Sequence, residues 1–366
     1  MDHQERVFSA IRHLEPDRVP IGEWLIDRSL MAKILKKSLR DFDPFEDTVQ
    51  VCELLGLDIK GVDCTFEPSP YKEVVGTSQS GRPIVRDGWG AIYEESEFGS
   101  LTASLIEPPI KNPEDVYTYQ FPPLSYYERN AREVERWVQE TDLCIAADVW
   151  GGRGMITPLM GYENYMVWSV THPEELEFII RRFTAYNAEI AKMYVDAGAH
   201  IIVVDDDIAG NQGPFMSPEF YRRVLFPALR EEVAAIKKHA ERKGRQVFVF
   251  FHSDGDITTL LDDLISLGID GLHPLEPAAG VDLGWVKERY GDKLCLMDNI
   301  DTREILPYGR PEDVEREVRR VIQQAAYGGG LILASANMLT ADVPVENVFA
   351  IREAVQKWGY YNKGRG

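Results

Sequence analysis

The stretch VFVFFHSDGD, residues 247–256, runs five apolar residues of strand type straight into His252, Ser253, Asp254, Gly255 and Asp256. An unbroken apolar run is what a strand covered on both faces looks like, and such strands belong to parallel sheets. Polar side chains placed just after the strand bring chemistry to a rigid edge. Three other runs finish the same way: Val203-Val204-Asp205-Asp206-Asp207, Gly271-Leu272-His273-Pro274-Leu275-Glu276 and Leu296-Met297-Asp298-Asn299. Four buried strands ending in imidazole, carboxyl or amide groups predict a shared polar rim.

Outward from this stretch, eight short apolar segments can be counted, at 19–25, 58–63, 143–149, 200–205, 247–252, 268–273, 293–298 and 330–336. Most are followed by residues of helical periodicity. Helix starts are marked by Thr171-His172-Pro173-Glu174, with Thr171 the expected N-cap, by Ser217-Pro218-Glu219 and by Arg310-Pro311-Glu312-Asp313. Strand and helix in alternation predict parallel strands with right-handed crossovers. Eight such units predict a (β/α)8 TIM barrel, a single domain over 1–366, with its reactive groups at the carboxyl ends of the strands. A doubly wound open sheet is the alternative, but it normally carries a glycine-rich phosphate turn after its first strand, and none follows 19–25.

Roughly 80 residues separate the second segment from the third, too many for one crossover. An insertion is therefore expected over 65–140. It should hold β-hairpins in YKEVVGTSQSGRPIVRDGWGAIYEE (71–95), turning at Ser-Gly-Arg-Pro and Asp-Gly, and a helix over 126–140. Such an excursion either forms part of a substrate pocket or decorates an edge.

Composition narrows the class. The chain has 366 residues, 44% hydrophobic and 27% charged, the balance of an ordinary globular protein. A net charge of −20 repels nucleic acid and anionic membrane, so neither is an expected partner. Cys52, Cys64, Cys144 and Cys295 are scattered without CxxC spacing, which predicts reduced thiols rather than a cysteine zinc site. No apolar run approaches membrane-spanning length and the first residues lack a signal-peptide core, so a cytoplasmic protein is expected.

The candidate catalytic residues are Asp206, His252, Asp254 and Glu276. His252 and Asp254 stand two apart at a strand end, so both side chains can point the same way and meet one metal or one proton. Glu276 is the candidate third metal ligand or an acid for a leaving oxygen, a plain salt bridge being the alternative. In the run Asp205-Asp206-Asp207, alternation turns Asp206 away from its neighbours, and mutual repulsion raises one pKa toward general-acid use. The alternative there is a helix cap or a solvated loop. Gln212, His273, Asn299 and Asn337 are candidate substrate-binding groups, with Asp298 as an orienting one. Trp24, Trp150 and Tyr162 are candidate pocket walls, although aromatic residues are more often plain core.

Several segments together resemble the uroporphyrinogen decarboxylase superfamily: ERVFSAIRHLEPDRVP (5–20), PLMGYENYM (158–166), DDDIAGNQGPFMSPEFYRRVLFP (205–227), FHSDGD (251–256), GIDGLHPLEP (268–277), NIDTREIL (299–306) and GGLILASANMLTADVPVENV (329–348). The resemblance implies the barrel and one of two chemistries. Decarboxylases of uroporphyrinogen carry an arginine-glutamine-alanine-glycine-arginine segment after the first strand to hold the substrate's carboxylates. Here that place reads Glu23-Trp24-Leu25-Ile26-Asp27-Arg28, acidic and apolar with one arginine. The decarboxylase aspartate would be Asp63. The other branch holds cobamide-dependent methyltransferases, some of which bind zinc through a histidine, a cysteine two residues on and a cysteine after the last strand. His252 matches the histidine, Asp254 stands at the first cysteine position and Asn337 near the second. Loss of both thiolates points away from coenzyme M methylation. The pattern looks more like members that demethylate small methoxylated or methylamine-type compounds and pass the methyl group to cobalt(I). The implied cofactors are zinc, at His252, Asp254 and Glu276, and a cobamide supplied by a separate corrinoid protein, since no cobamide-binding domain is recognisable. A decarboxylase, or a relative that only binds a small molecule, is the alternative.

Overall fold

The computed structural model describes residues 1–62, 72–95 and 104–361; Asp63 and Cys64 lie outside the described residues. Eight strands form one parallel sheet, at the places the apolar runs predict: β1 Gly22–Glu23, β2 Ile59–Val62, β3 Cys144–Trp150, β4 Ile201–Asp205, β5 Phe248–His252, β6 Gly271–His273, β7 Cys295–Ile300 and β8 Leu331–Ser335. Neighbours in sequence are neighbours in the sheet. The ends meet through a parallel bridge between Ile21 and Leu333, with the Leu333 amide donating to the Pro20 carbonyl at 2.9 Å. The result is the α/β barrel, with helices outside.

The period-two rule sorts the strand residues into two cores. Ile59, Cys144, Ala146, Ile201, Val203, Phe248, Phe250, Cys295, Met297, Ile332 and Ala334 fill the barrel interior. Their alternates, among them Ile202, Val204, Val249, Phe251, Leu296 and Leu331, join the larger shell under the helices. The helix His3–Ile11 plugs the amino-terminal end: Val7, Ala10 and Ile11 enter the interior cluster, and the Phe8 ring meets Phe248 edge-on at 5.3 Å. Buried Asp58 ties the plug down, accepting from Arg6 (2.7 Å), Arg18 (2.7 Å) and the Ile21 amide (2.8 Å). Chemistry is left the opposite, carboxyl-terminal mouth.

Between β2 and β3 lies a four-stranded antiparallel sheet, Glu73–Thr77, Pro83–Arg86, Ile92–Glu94 and Ser104–Glu107, followed by the helix Glu128–Glu140. Trp89 anchors the insertion, packing against Phe121, Phe183 and Tyr186 at ring distances near 6 Å.

Helix starts differ from expectation at one place. Thr171 ends the helix Tyr162–Thr171 instead of capping the next one, and His172 is the N-cap of Pro173–Ala197. The Thr171 hydroxyl bonds back to the Val167 carbonyl at 3.0 Å, the i−4 habit of threonine within a helix. Ser217 does cap, accepting from the Phe220 amide, and Asp313 accepts from the Arg310 amide at 2.9 Å. Among the described residues no helix is long and apolar enough to cross a membrane.

Candidate active site

Ile201 and Val203 point into the barrel, so Asp205 at the end of β4 continues inward beside His252, with which it pairs across the β4–β5 register. The His252 Nε2 lies 3.9 Å from Asp205 Oδ1, 3.8 Å from Asp207 Oδ1 and 3.6 Å from Asp254 Oδ1. The loop holding these acids is knitted together. Asp207 Oδ1 accepts from the Asp254 amide at 2.8 Å, and Asn337 Nδ2 donates to Asp254 Oδ2 at 2.6 Å. Asp254 Oδ1 is buried and has no hydrogen-bond partner. Gly255 makes the turn at φ +85, and a Cβ there would fall 2.7 Å from the backbone of Ala209 and Gly210, so only glycine fits.

On its other side His252 meets His273 from β6, Nδ1 to Nδ1 at 2.7 Å, with the rings stacked at 4.9 Å. His273 is fully enclosed, and burial together with the field of His252 pushes its pKa well below the usual value, so it is neutral. Its Nε2 faces the Ser335 carbonyl at 3.3 Å, which can only accept. The His273 proton therefore sits on Nε2, its Nδ1 accepts, and His252 Nδ1–H donates. That logic leaves His252 Nε2 as the atom that faces three carboxylates. The arrangement is stable only with a proton or a cation between them. Asp205, Asp207 and His252 each offer one ligand atom within 4.8 Å of the others. Nitrogen and oxygen donors suit zinc or a harder divalent ion. The described cysteines are buried away from the site, Cys144 and Cys295 in the barrel interior and Cys52 in the helix shell.

Burial is the main cause of a raised Asp254 pKa, about 7; the field of His252 opposes it, and Asp207, Glu276 and Asp205 add to it. The mouth thus holds a carboxyl group that exchanges its proton near neutrality.

Other expected residues sort into two groups. His252, Asp254, His273 and Asn337 come together, Trp24 lies 6.1 Å from the His273 ring, and Glu276 accepts from the Gly255 amide at 2.9 Å. Asp206 is placed elsewhere. Its carboxylate accepts from the amides of Arg153 (3.1 Å) and Gly154 (2.6 Å), capping the helix Gly152–Met160, and Gly151 leaves the room it needs. Burial raises its pKa to about 6, but it faces those amides and not His252. Asn299 is structural in its contacts, donating to the Leu275 carbonyl and accepting from Arg320 at 2.9 Å. Asp298 accepts from the Leu275 amide at 2.5 Å. Gln212 is exposed at the tip of the hairpin that joins Ala209–Gly210 to Gly213–Pro214. Trp150 packs on the outer shell, and Tyr162, half exposed, accepts from Arg153 Nη2.

Asp205, Asp207 and Arg153 are the members of the mouth that reading the sequence did not select. Glu23, buried between β1 and β8, was not selected either; it accepts from the Ser335 amide (3.1 Å) and hydroxyl (2.6 Å), and burial lifts its pKa to about 7.

An eight-stranded parallel barrel with a polar cluster at its strand ends is the architecture of the α/β-barrel enzymes. The profile of the family described as Uroporphyrinogen decarboxylase (URO-D) matches residues 97–358, and the chain belongs to that family. It is similar to the uroporphyrinogen decarboxylase of Coxiella burnetii, 23% identical over 196 residues, 52% of this chain and 50% of the relative. It is also similar to the methylated-thiol–coenzyme M methyltransferase of Methanosarcina mazei, 26% identical over 199 residues, 54% and 49% of the two chains. A third relative is the methylcobamide:CoM methyltransferase of Methanosarcina barkeri, 24% identical over 210 residues, 57% of each. The chain thus spans about half the length of the curated relatives it matches. A solved methyltransferase from Methanosarcina mazei shares the fold, with a TM-score of 0.72 at 19% identity, over 98% of this chain and 99% of that one.

Proposed function

We propose that this protein is a corrinoid-dependent methyltransferase, taking a methyl group from a small methoxylated or methylamine-type compound to the cobalt(I) of a separate corrinoid protein. The observation that carries the reading is His252 Nε2 set within 4 Å of the carboxylates of Asp205, Asp207 and Asp254, with no arginine cluster after β1 to seat a polycarboxylate. The one arginine of that region, Arg28, is drawn off to the carbonyl of Phe42 at 3.1 Å and lies over the Phe42 ring.

In the transfer a carbon–oxygen or carbon–nitrogen bond breaks, the methyl group goes to cobalt, and the leaving heteroatom takes up a proton. Asp254, protonated near neutrality, stands where it can give that proton. Asp205, Asp207 and His252, with Asp254 beside them, would hold a divalent cation, which when bound supplies Lewis acidity toward the leaving atom. His273 fixes the tautomer of His252, Asn337 orients Asp254, and Trp24 provides an apolar wall beside the imidazole pair.

The test is a spectrum. A cobalt(I) corrinoid protein mixed with this enzyme and a panel of methoxylated and methylated amine donors should convert to methylcobalt(III). The double variant His252→Ala, Asp254→Ala should abolish the conversion. Carbon dioxide release from uroporphyrinogen, with no cobalt methylation from any donor, would replace this reading by decarboxylation, the chemistry of the Coxiella relative's name.

A further inference from the structure

We infer that Arg153 is a recognition site for a carboxylate on the methyl donor, so that the donor is a methylated acid. The inference rests on the methyl-transfer reading for the word donor; the anion site itself stands on geometry alone. Arg153 opens the helix that follows β3 and is only 6% exposed. Its Nη1 donates to the carbonyl of Asp207, one of the three acids around His252, and its Nη2 to the Tyr162 hydroxyl. Its guanidinium carbon lies 4.4 Å from the centre of the Phe215 ring and 5.2 Å from that of Tyr162. Its Nε–H is buried and has no acceptor.

A buried arginine cannot shed its charge, and leaving such a charge unpaired is among the costlier arrangements in a protein interior. Yet in a chain of net charge −20, no described carboxylate forms a salt bridge with this guanidinium; Asp206 feels its charge only through space. Asp206, next in the loop, directs its oxygens to the Arg153 and Gly154 amides instead. Two aromatic rings offset part of the cost. The remainder is what an incoming anion would supply. A planar carboxylate suits the guanidinium fork best, taking Nε–H and displacing the Tyr162 hydroxyl from Nη2. Anchored there, a small acid extends toward the acids around His252, because Arg153 is bonded to the backbone of one of them.

Binding to the whole purified protein, read by calorimetry without turnover, tests this apart from methyl transfer. The probes are acetate, benzoate and trimethylglycine, each against a counterpart that lacks the carboxylate, acetamide, benzamide or choline, with inorganic phosphate as a competitor. At least one carboxylate should bind about tenfold more tightly than its counterpart, the effect of one charge-assisted pair. Arg153→Met should erase that preference, and Arg153→Lys, which keeps charge and volume, should reduce it several-fold. Should the Met variant fail to fold, the Lys variant and a Tyr162→Phe variant, which frees Nη2 and should tighten carboxylate binding, decide the matter. No preference in the wild type, a preference unchanged in the Lys and Met variants, or phosphate displacing every carboxylate would overturn the proposal. Carboxylate binding without cobalt methylation would keep the site and remove the methyl-transfer reading.

Discussion

Replacing His273 by phenylalanine tests the central hydrogen-bond argument. In the native pair His273 Nδ1 accepts from His252 Nδ1 at 2.7 Å, which leaves His252 Nε2 as the ligand atom, facing Asp205, Asp207 and Asp254. Phenylalanine keeps the ring and removes the acceptor. The free variant then relaxes by moving the His252 proton to Nε2, where the carboxylates welcome it. Binding a divalent cation has to reverse that move and strand a buried N–H at Nδ1. A stranded donor costs about 1–3 kcal/mol. The corresponding loss in affinity is roughly 10- to 100-fold, the range found when the outer partner of a ligating histidine is removed. Glutamine at the same position presents a carbonyl acceptor and should recover most of it. Calorimetric titration of the metal-free protein with Zn²⁺ and Co²⁺ at pH 7.5 provides the numbers, with circular dichroism confirming the fold. A folded phenylalanine variant that binds either ion as tightly as the wild type would refute the tautomer assignment.

Three more outcomes are expected. Asp254 ionises at about 7 in the fold but near 3.9 unfolded, so between those values the native state holds a proton the unfolded chain has lost; metal-free stability should fall as pH rises from about 4 to 7. Urea midpoints across that range should show the decline, and Asp254→Asn should flatten part of it. Asp206→Ala removes the acceptor of two helix amides and should lower stability by about 1–2 kcal/mol, while Asp206→Asn keeps most of the cap; equal losses in both would contradict a capping role. Gly255→Ala forces a methyl group to within 2.7 Å of the Ala209 and Gly210 backbone at a φ of +85, which should cost about 1–3 kcal/mol and weaken cation binding through displaced Asp254, both visible in the same titrations.

The barrel was legible because most wall strands are apolar runs and four of them lead into polar residues. All eight apolar segments coincide with a strand. The same property hid which aspartates lie beside His252. Ile201 to Val204 are buried on both sides, so nothing in the run marks which parity faces inward. Alternation separates Asp206 from its neighbours, yet it takes the barrel to show that Asp205 is the inward one and that Asp206 meets a helix. The contacts of Asn299 were out of reach for a related reason. Its partner Arg320 is 21 residues away, on the helix Pro311–Ala325, and no local pattern links the two. Arg153 sits in Gly-Gly-Arg-Gly, where neither periodicity nor spacing says anything, and its lack of a salt bridge among the described residues is a property of the folded surroundings alone. His252, Asp254, His273 and Asn337 were within reach because each lies one or two residues past a buried run.

The plug formed by His3–Ile11 sets the traffic of the reaction. Val7, Ala10, Ile11 and Phe8 fill the floor against Phe248, so the amino-terminal end of the barrel is closed among the described residues. On the methyl-transfer reading the small molecule must therefore enter first, the cobalt protein must close over it, and the demethylated product must wait for that lid to lift. Turnover then has a compulsory sequence, and an excess of the corrinoid protein should inhibit by covering the carboxyl-terminal mouth.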